Sequence, residues 1–433
     1  MPLGIEPQTI LFHNTSNLAM SLNRFLIILV ALFLNGFSPL LADNLPPTEW
    51  IDQDTGHRIV RLSSESNSES LYFNENAWTA DGDKLVYYGP SGISDYNFKT
   101  RQNELIVPGT NMFGIIVSPK SRTVYYVRRT GNGLTAFSTQ LDSLVTRKIG
   151  TVPGGGSLLA VNADDTLLAG SFAEHGDRFP KPPNESKGQW MLRRLEGHQP
   201  MSLFTLDIKT GELKVFDHST EWLNHVQFSP TDPNLLMFCH EGPWQLVDRI
   251  WTIHTDGTGL TLVHKRTMQN EIAGHEFFSP DGKWIWYDLQ TPRGEDFWLA
   301  GYEVATGKRL WYHLQRDEWS IHFNVTRDGT LFAGDGGDSG QVAHAQNGRW
   351  LYLFHPEAVN LYGEKQTVRD NLIQTGVFTS EKLVNMSKQD YSLEPNVNFS
   401  PDGKWIVFRG NMFGPSYVFA VEVAKAPAGT KTQ

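Results

Sequence analysis

The chain has 433 residues, 39% hydrophobic and 12% aromatic, with 39 Gly, 23 Pro and a formal net charge of −10. That composition is globular and turn-rich, which excludes a disordered or fibrous protein. The negative charge argues against a nucleic-acid partner, and an anionic substrate would need a local cation or basic cluster to hold it. The single cysteine, Cys239, excludes an intrachain disulfide and is expected to pack as a small apolar residue.

The N-terminus reads as an export signal. From Met20 the chain runs "MSLNRFLIILVALFLNGFSPLLADNLPP". Arg24 supplies a positive start, Phe25 to Phe37 a short apolar run and Leu40-Leu41-Ala42 a cleavage site. The apolar run is short for a membrane span. Residues 1–42 are therefore expected to be a signal peptide, with Met20 as an alternative start. The mature chain would begin near Asp43, carry no membrane span and work in a periplasm or outside the cell.

One signal then recurs in chain order: "AWTADGDKLVYYG", "IVSPKSRTVYYV", "AVNADDTLLAGS", "QFSPTDPNLLMFC", "FFSPDGKWIWYD", "NVTRDGTLFAGD" and "NFSPDGKWIVFR". Each copy has an apolar residue, a turn of the Ser/Thr-Pro-Asp-Gly type and an alternating strand, the pattern of a β-hairpin. Hairpins of a second type, such as "LFTLDIKTGELKVF" and "GYEVATGKRLWY", lie between copies. Two hairpins per repeat make a four-stranded blade, and the tight spacings of about 40–50 residues suit blade repeats. The expected fold is all-β, a single seven-bladed β-propeller over residues 43–433. Insertions at Asp177–Pro200 (Pro-rich and basic) and Gly334–Trp350 (Gly-rich) read as loops, either walling a cleft or simply solvated.

Four residues before each turn-opening residue stand Glu75, Gly114, Leu158, His225, His275, His322 and Asn396. Strand alternation predicts that they point one way, toward the axial channel. Glu394 precedes Asn396 by two and is expected on the same face. Histidine, carboxylate and amide donors together suit Mn²⁺, Zn²⁺ or Ca²⁺. A polar ring that merely holds channel water is the competing reading. No phosphate-binding loop or nucleophile elbow is evident.

The strings "FCHEGPWQLVDRIW", "HEFFSPDG", "IHFNVTRDGTLFAGDG" and "EPNVNFSPDGKWIVF" resemble the oligogalacturonate lyases, family 22 of the polysaccharide lyases, and the likeness runs more weakly from Thr55 to Val421. The resemblance implies a seven-bladed propeller that cleaves uronate-containing oligosaccharides by β-elimination. It implies His275 as the Brønsted base, Arg249 at the substrate carboxylate, and Mn²⁺ held by His322 and a Gln-x-x-His-x-His set. In this chain that set reads Tyr391, Glu394 and Asn396, so oxygen donors replace the histidine nitrogens.

The expected cofactor is a divalent cation on His322, Glu394 and Asn396, Mn²⁺ foremost, with Ca²⁺ or Zn²⁺ as alternatives. The expected partner is an acidic oligosaccharide, contacted also by His240, His225 and Tyr391. Water, His240 or Tyr391 could protonate the leaving oxygen, and His240 with Glu241 could equally be structural. A lyase for another acidic glycan and a non-catalytic binding propeller stay open beside the first reading. Nothing in the sequence indicates an oligomeric state.

Overall fold

A computed structural model describes residues 45–131, 133–341, 346–359, 372–427 and 429. The expected signal peptide lies outside the described residues. The recurring turn explains the local fold. In "SPDG" the Ser279 hydroxyl donates to Asp281 at 2.6 Å and accepts the Trp284 amide at 3.0 Å, while Gly282 takes φ +70°. The same bonds recur at Thr326 with Asp328 and Leu331, and at Ser400 with Asp402 and Trp405. Serine or threonine, aspartate and glycine each fill a separate need of one turn. The apolar strand that follows then pairs back on the strand before it.

Four-stranded antiparallel meanders succeed one another at residues 69–108, 112–152, 156–219, 222–262, 272–313 and 323–385. The fifth and sixth join into one eight-stranded sheet through parallel pairing of Arg309–His313 with Gln374–Asn385. The last sheet is closed by the N-terminal end of the described chain, His57–Arg61 pairing antiparallel with Tyr417–Lys425. This succession is a propeller-like, all-β architecture. Apolar clusters fill the space between neighbouring sheets; Phe73, Trp286, Phe297, Trp319, Phe332 and Phe354 form one of them. Burial of such side chains is the main stabilising term.

Two sequence expectations change here. The basic insertion is not all loop: Lys187–Gly197 is the one α-helix among the described residues. Ser186 caps it, accepting from the Gln189 amide while Gln189 reaches back to the Ser186 amide. Ser-x-x-Gln ahead of Trp190 and Met191 was a readable helix start within a stretch dominated by its prolines. Regular alternation also fails at the site positions. Register shifts between Asn224 and Gln227, and between Gly274 and Phe277, place His225 and His275 in β-bulges, each at φ +48°. Gly114 sits in the corresponding bulge of its own sheet at φ +57°. A bulge re-aims a side chain that plain alternation would send elsewhere.

Asn396 has φ +57° and precedes a strand of only two residues, Asn398–Phe399. Glu394 and Asn396 therefore share no strand face. Pro395 lies between them and has no amide to give to a ladder.

Candidate active site

The site forms where the bulged inner strands meet the segment after Glu69–Ser70. Phe73, fully buried, lies against the rings of His322 at 4.8 Å and His275 at 6.3 Å. Its carbonyl accepts from Asn324 and Asn398 at 3.4 and 3.1 Å. Tyr72, next to it, has its ring 5.2 Å from His322 and 5.9 Å from His225. The His275 and His322 rings meet edge to face at 5.0 Å.

Both imidazoles are oriented by buried carboxylates. His275 Nδ1 is 2.7 Å from Asp288, and His322 Nδ1 is 2.7 Å from Asp335. Asp335 is itself fixed by the amides of Ile321 and His322 at 3.2 and 3.1 Å. A proton held on Nδ1 by a carboxylate leaves Nε2 as the acceptor. The Nε2 atom of His275 has no hydrogen-bond partner among the described residues, and its side chain is 20% exposed. The Nε2 atom of His322 has Tyr72 Oη at 3.2 Å and a Glu394 oxygen at 3.8 Å. Burial opposes a charge on His322; Asp335, with Glu394 behind it, outweighs that and raises its pKa.

Arg249 is buried between two carboxylates, Nε to Glu276 at 2.9 Å and Nη1 to Glu241 at 3.1 Å. Nη2 takes no partner among the described residues. Burial would raise both glutamates; the guanidinium outweighs it and holds both below their ordinary range. Gly274 shows how near Arg249 comes to His275. A Cβ there would lie 3.2 Å from Asp288 Oδ1 and 4.0 Å from Arg249 Nε. The glycine thus lets the orienting carboxylate and the guanidinium crowd one point of the backbone.

His225 Nε2 stands 3.4 Å from Glu241, and with Cys239 these donors lie within 4.8 Å of one another. The permanent charge of Arg249 on Glu241 opposes a cation there, and burial pushes the Cys239 thiol well up, away from a ligating thiolate. Cys239 is fully buried in the strand Leu235–Glu241, its thiol donating to the Glu241 carboxylate at 3.8 Å.

Of the residues singled out in the sequence, His275, His322, Arg249 and His225 converge, and Glu394 joins them through His322. Asn396 donates from its side-chain amide to the Glu394 carbonyl two residues back, at 3.2 Å. Tyr391 requires correction as a substrate contact or proton donor. It is 3% exposed, and its hydroxyl donates to the Asp335 carbonyl at 3.3 Å, so it braces the site from the core. His240 pairs with Glu221 at 2.8 Å and packs on Trp251 at 5.3 Å, outside the central cluster.

Glu75, in repeat phase, lines a cavity of about 420 Å³ with Phe73, Asn74, Gln227, Asn324 and Asn398, and borders Tyr72 and His225 on another side. Burial drives its carboxyl from the ordinary 4.5 up to about 7, against the Tyr72 amide that donates to it. A raised carboxyl pKa contributes stability below 4.5 that is lost as pH rises through 7. Glu75→Gln is therefore expected to gain melting temperature over the parent at pH 8 but not at pH 5, an effect of at most about 3 kcal/mol. Equal differences at the two pH values would refute it.

Tyr72, Asp288, Asp335 and Glu276 were missed. The two aspartates had a signal: each stands nine residues beyond the turn-opening Ser279 or Thr326 (279 to 288, 326 to 335), in or just after the strand that follows the turn. Tyr72 and Glu276 had none.

A propeller-like β fold presenting a carboxylate-oriented imidazole beside a buried arginine provides a base and an anion partner, the groups a carbon–oxygen lyase requires. A sequence profile of the oligogalacturonate lyase family matches residues 45–427, so the chain belongs to that family and is a polysaccharide lyase. It is 27% identical to the oligogalacturonate lyase of Dickeya dadantii (strain 3937) over 392 residues, covering 86% of this chain and 95% of that protein. The oligogalacturonide lyase of Pectobacterium atrosepticum is 26% identical over 390 residues, with the same shares covered. Among solved structures, an oligogalacturonate lyase in complex with manganese superimposes with TM-score 0.71 at 25% identity, covering 87% of this chain and 96% of that one. The oligogalacturonate lyase from Vibrio parahaemolyticus has the same fold, with TM-score 0.72 at 24% identity, covering 88% and 97%.

Proposed function

We propose that this protein cleaves oligogalacturonides by β-elimination, with His275 as the base, on a propeller whose meanders count as seven blades. The observation that carries the proposal is the His275–Asp288 pair, Nε2 unengaged, beside Arg249. Arg249 Nη2 receives the uronate carboxylate, and His275 Nε2 takes the C5 proton. The electrons of the C5–H bond delocalise into that carboxylate, then form the C4–C5 double bond as O4 departs. With Tyr391 sealed in the core, water is the donor to O4 that requires no further side chain. The relatives named above act on oligogalacturonides, which makes these the first substrate to test; the replaced donors at Glu394 and Asn396 keep another acidic glycan as the second.

The residues present fit a divalent cation. His322 is oriented through Nδ1 in the manner of a metal-ligating histidine, Glu394 lies within ligand reach of its Nε2, and Asn396 Oδ1 is buried with no hydrogen-bond partner. A Mn²⁺ ion on His322, Glu394 and Asn396 would add to the neutralisation of charge at the substrate carboxylate. Asp335→Asn is expected to weaken Mn²⁺ binding about 10–100-fold in titration calorimetry, because it loosens His322 rather than removing a ligand. Unchanged affinity would remove His322 from the metal site.

The test of function is the ultraviolet absorbance of the unsaturated uronate, on oligogalacturonides and on other uronate glycans, with chelator and with added Mn²⁺. A rise on oligogalacturonides supports the reading. A rise only on another glycan reassigns the substrate, and none at all overturns β-elimination. Residues 1–42 further support export, with a mature N-terminus near Asp43. Sequencing the N-terminus of the recovered protein checks this, and an intact Met20 end would refute it. No described helix is long and apolar enough to cross a membrane.

A further inference from the structure

The loop 242–248 hangs between Glu241 and Arg249, two members of the central cluster. It is held in place. Arg266 donates to the Trp244 carbonyl at 2.9 Å and to Asp248 at 3.3 Å. A side chain at Gly242 would meet Val247 at 2.3 Å, so the loop is packed on itself. Trp244 is left half-buried at its tip. The helix Lys187–Gly197 stands beside it, docked by Trp190 on Trp222 at 4.8 Å and by Arg194 over Trp222 at 4.3 Å. This docking brings the Lys187 ammonium to 5.4 Å from the centre of the Trp244 ring.

Lys187 is exposed and has no carboxylate within ion-pair distance among the described residues, unlike Arg193 and Arg194 of the same helix, which pair with Glu185 and Asp177. Its charge is nevertheless felt at Glu241, where it helps keep the carboxyl ionised. A cation without a carboxylate partner and the half-buried tryptophan it stands over thus border the cluster together, in a chain whose net charge is −10. A polyuronate brings one carboxylate and one apolar ring face per residue. Arg249 can receive only one of those carboxylates.

We propose that Trp244 and Lys187 form a further uronate subsite for the sugar on the C1 side of the one undergoing elimination, a sugar that only trimers and longer chains carry, Trp244 packing on its apolar face and Lys187 meeting its carboxylate. This rests on the reading of the protein as a uronate lyase. It assigns the helical insertion a role in selecting chain length. The exposed ion pair sets the scale of the effect at a few-fold, and it is screened by salt.

The test measures kcat and KM on di-, tri- and tetragalacturonide for the parent, Lys187→Gln, Lys187→Glu and Lys187→Arg, at low and high salt. Lys209→Gln, in a distant hairpin turn, serves as the control. The parent is expected to show a lower KM for the longer chains. Lys187→Gln should reduce that advantage about threefold to fivefold, Lys187→Glu more, and Lys187→Arg should restore it, with the differences shrinking in salt. A parent KM indifferent to chain length, or a Lys187→Gln profile matching the control, overturns the subsite while leaving the lyase reading intact. Absence of product from every uronate glycan overturns both.

Discussion

Replacing His275 with glycine is expected to lower kcat about 10²–10⁴-fold, the usual worth of a positioned base, while costing the fold no more than about 1–3 kcal/mol, the penalty for leaving the buried Asp288 without its partner. The separation of the two effects follows from the backbone. At φ +48° a side chain is disfavoured and glycine is at ease, and Gly114 already holds the equivalent bulge in another sheet. A histidine kept where glycine fits better is retained for what its ring does. Asp288→Asn probes the same point from behind. An amide can donate to Nδ1, which moves the ring proton to Nε2 and abolishes its basicity, so a loss of about 10²-fold or more is expected. The absorbance assay reads both variants and thermal unfolding reads their stability. A glycine variant that is active, or one that unfolds at much lower temperature with activity lost in proportion, would make His275 structural.

The all-β class was legible because it rests on local chemistry, whereas the pairing of His275 with Arg249 came only from the family resemblance. The Ser-Pro-Asp-Gly turn closes through bonds between residues two to five apart, so its period shows in the bare sequence. His275 could be located by counting from that turn. What the count could not give was the means, because a bulge inserts a residue without any mark in composition, and it is the bulges at His225 and His275, not plain alternation, that bring these side chains together. Long-range partners were hidden for a related reason. Glu276 neighbours His275 in sequence, yet its function depends on Arg249 arriving from another sheet. Tyr72 enters through a short segment that no repeat predicts. Tyr391 was the reverse case. Its alignment with a ligand position suggested exposure, whereas its hydroxyl is spent on the Asp335 carbonyl in the core.

Arg249→Ala is expected to destabilise the protein by about 3–5 kcal/mol as well as to abolish turnover, because it strands two buried carboxylates that the guanidinium does most to keep charged. Glu276 is 1% exposed and Glu241 8%. In the parent both carboxyls are depressed, so their contribution is fully present above the ordinary carboxylate range and is lost as pH falls through their lowered values. In the variant burial acts without its largest counterweight and moves both upward. The sign of the pH dependence then reverses: stability is best where the carboxyls are protonated and is lost as pH rises toward 8. Adding Glu276→Gln to Arg249→Ala should recover part of the loss at pH 8 and little at pH 5. Arg249→Lys should retain more of the stability, since it keeps the charge, yet still lose about 10²–10³-fold in kcat, since one ammonium cannot serve Glu241, Glu276 and a substrate carboxylate in fixed directions. Thermal unfolding between pH 5 and 8, set against the absorbance assay, distinguishes these outcomes. If the alanine variant unfolds like the parent at every pH, the two glutamates are satisfied by something other than Arg249. If the lysine variant turns over like the parent, a point charge suffices at the carboxylate and the guanidinium fork has no part in positioning it.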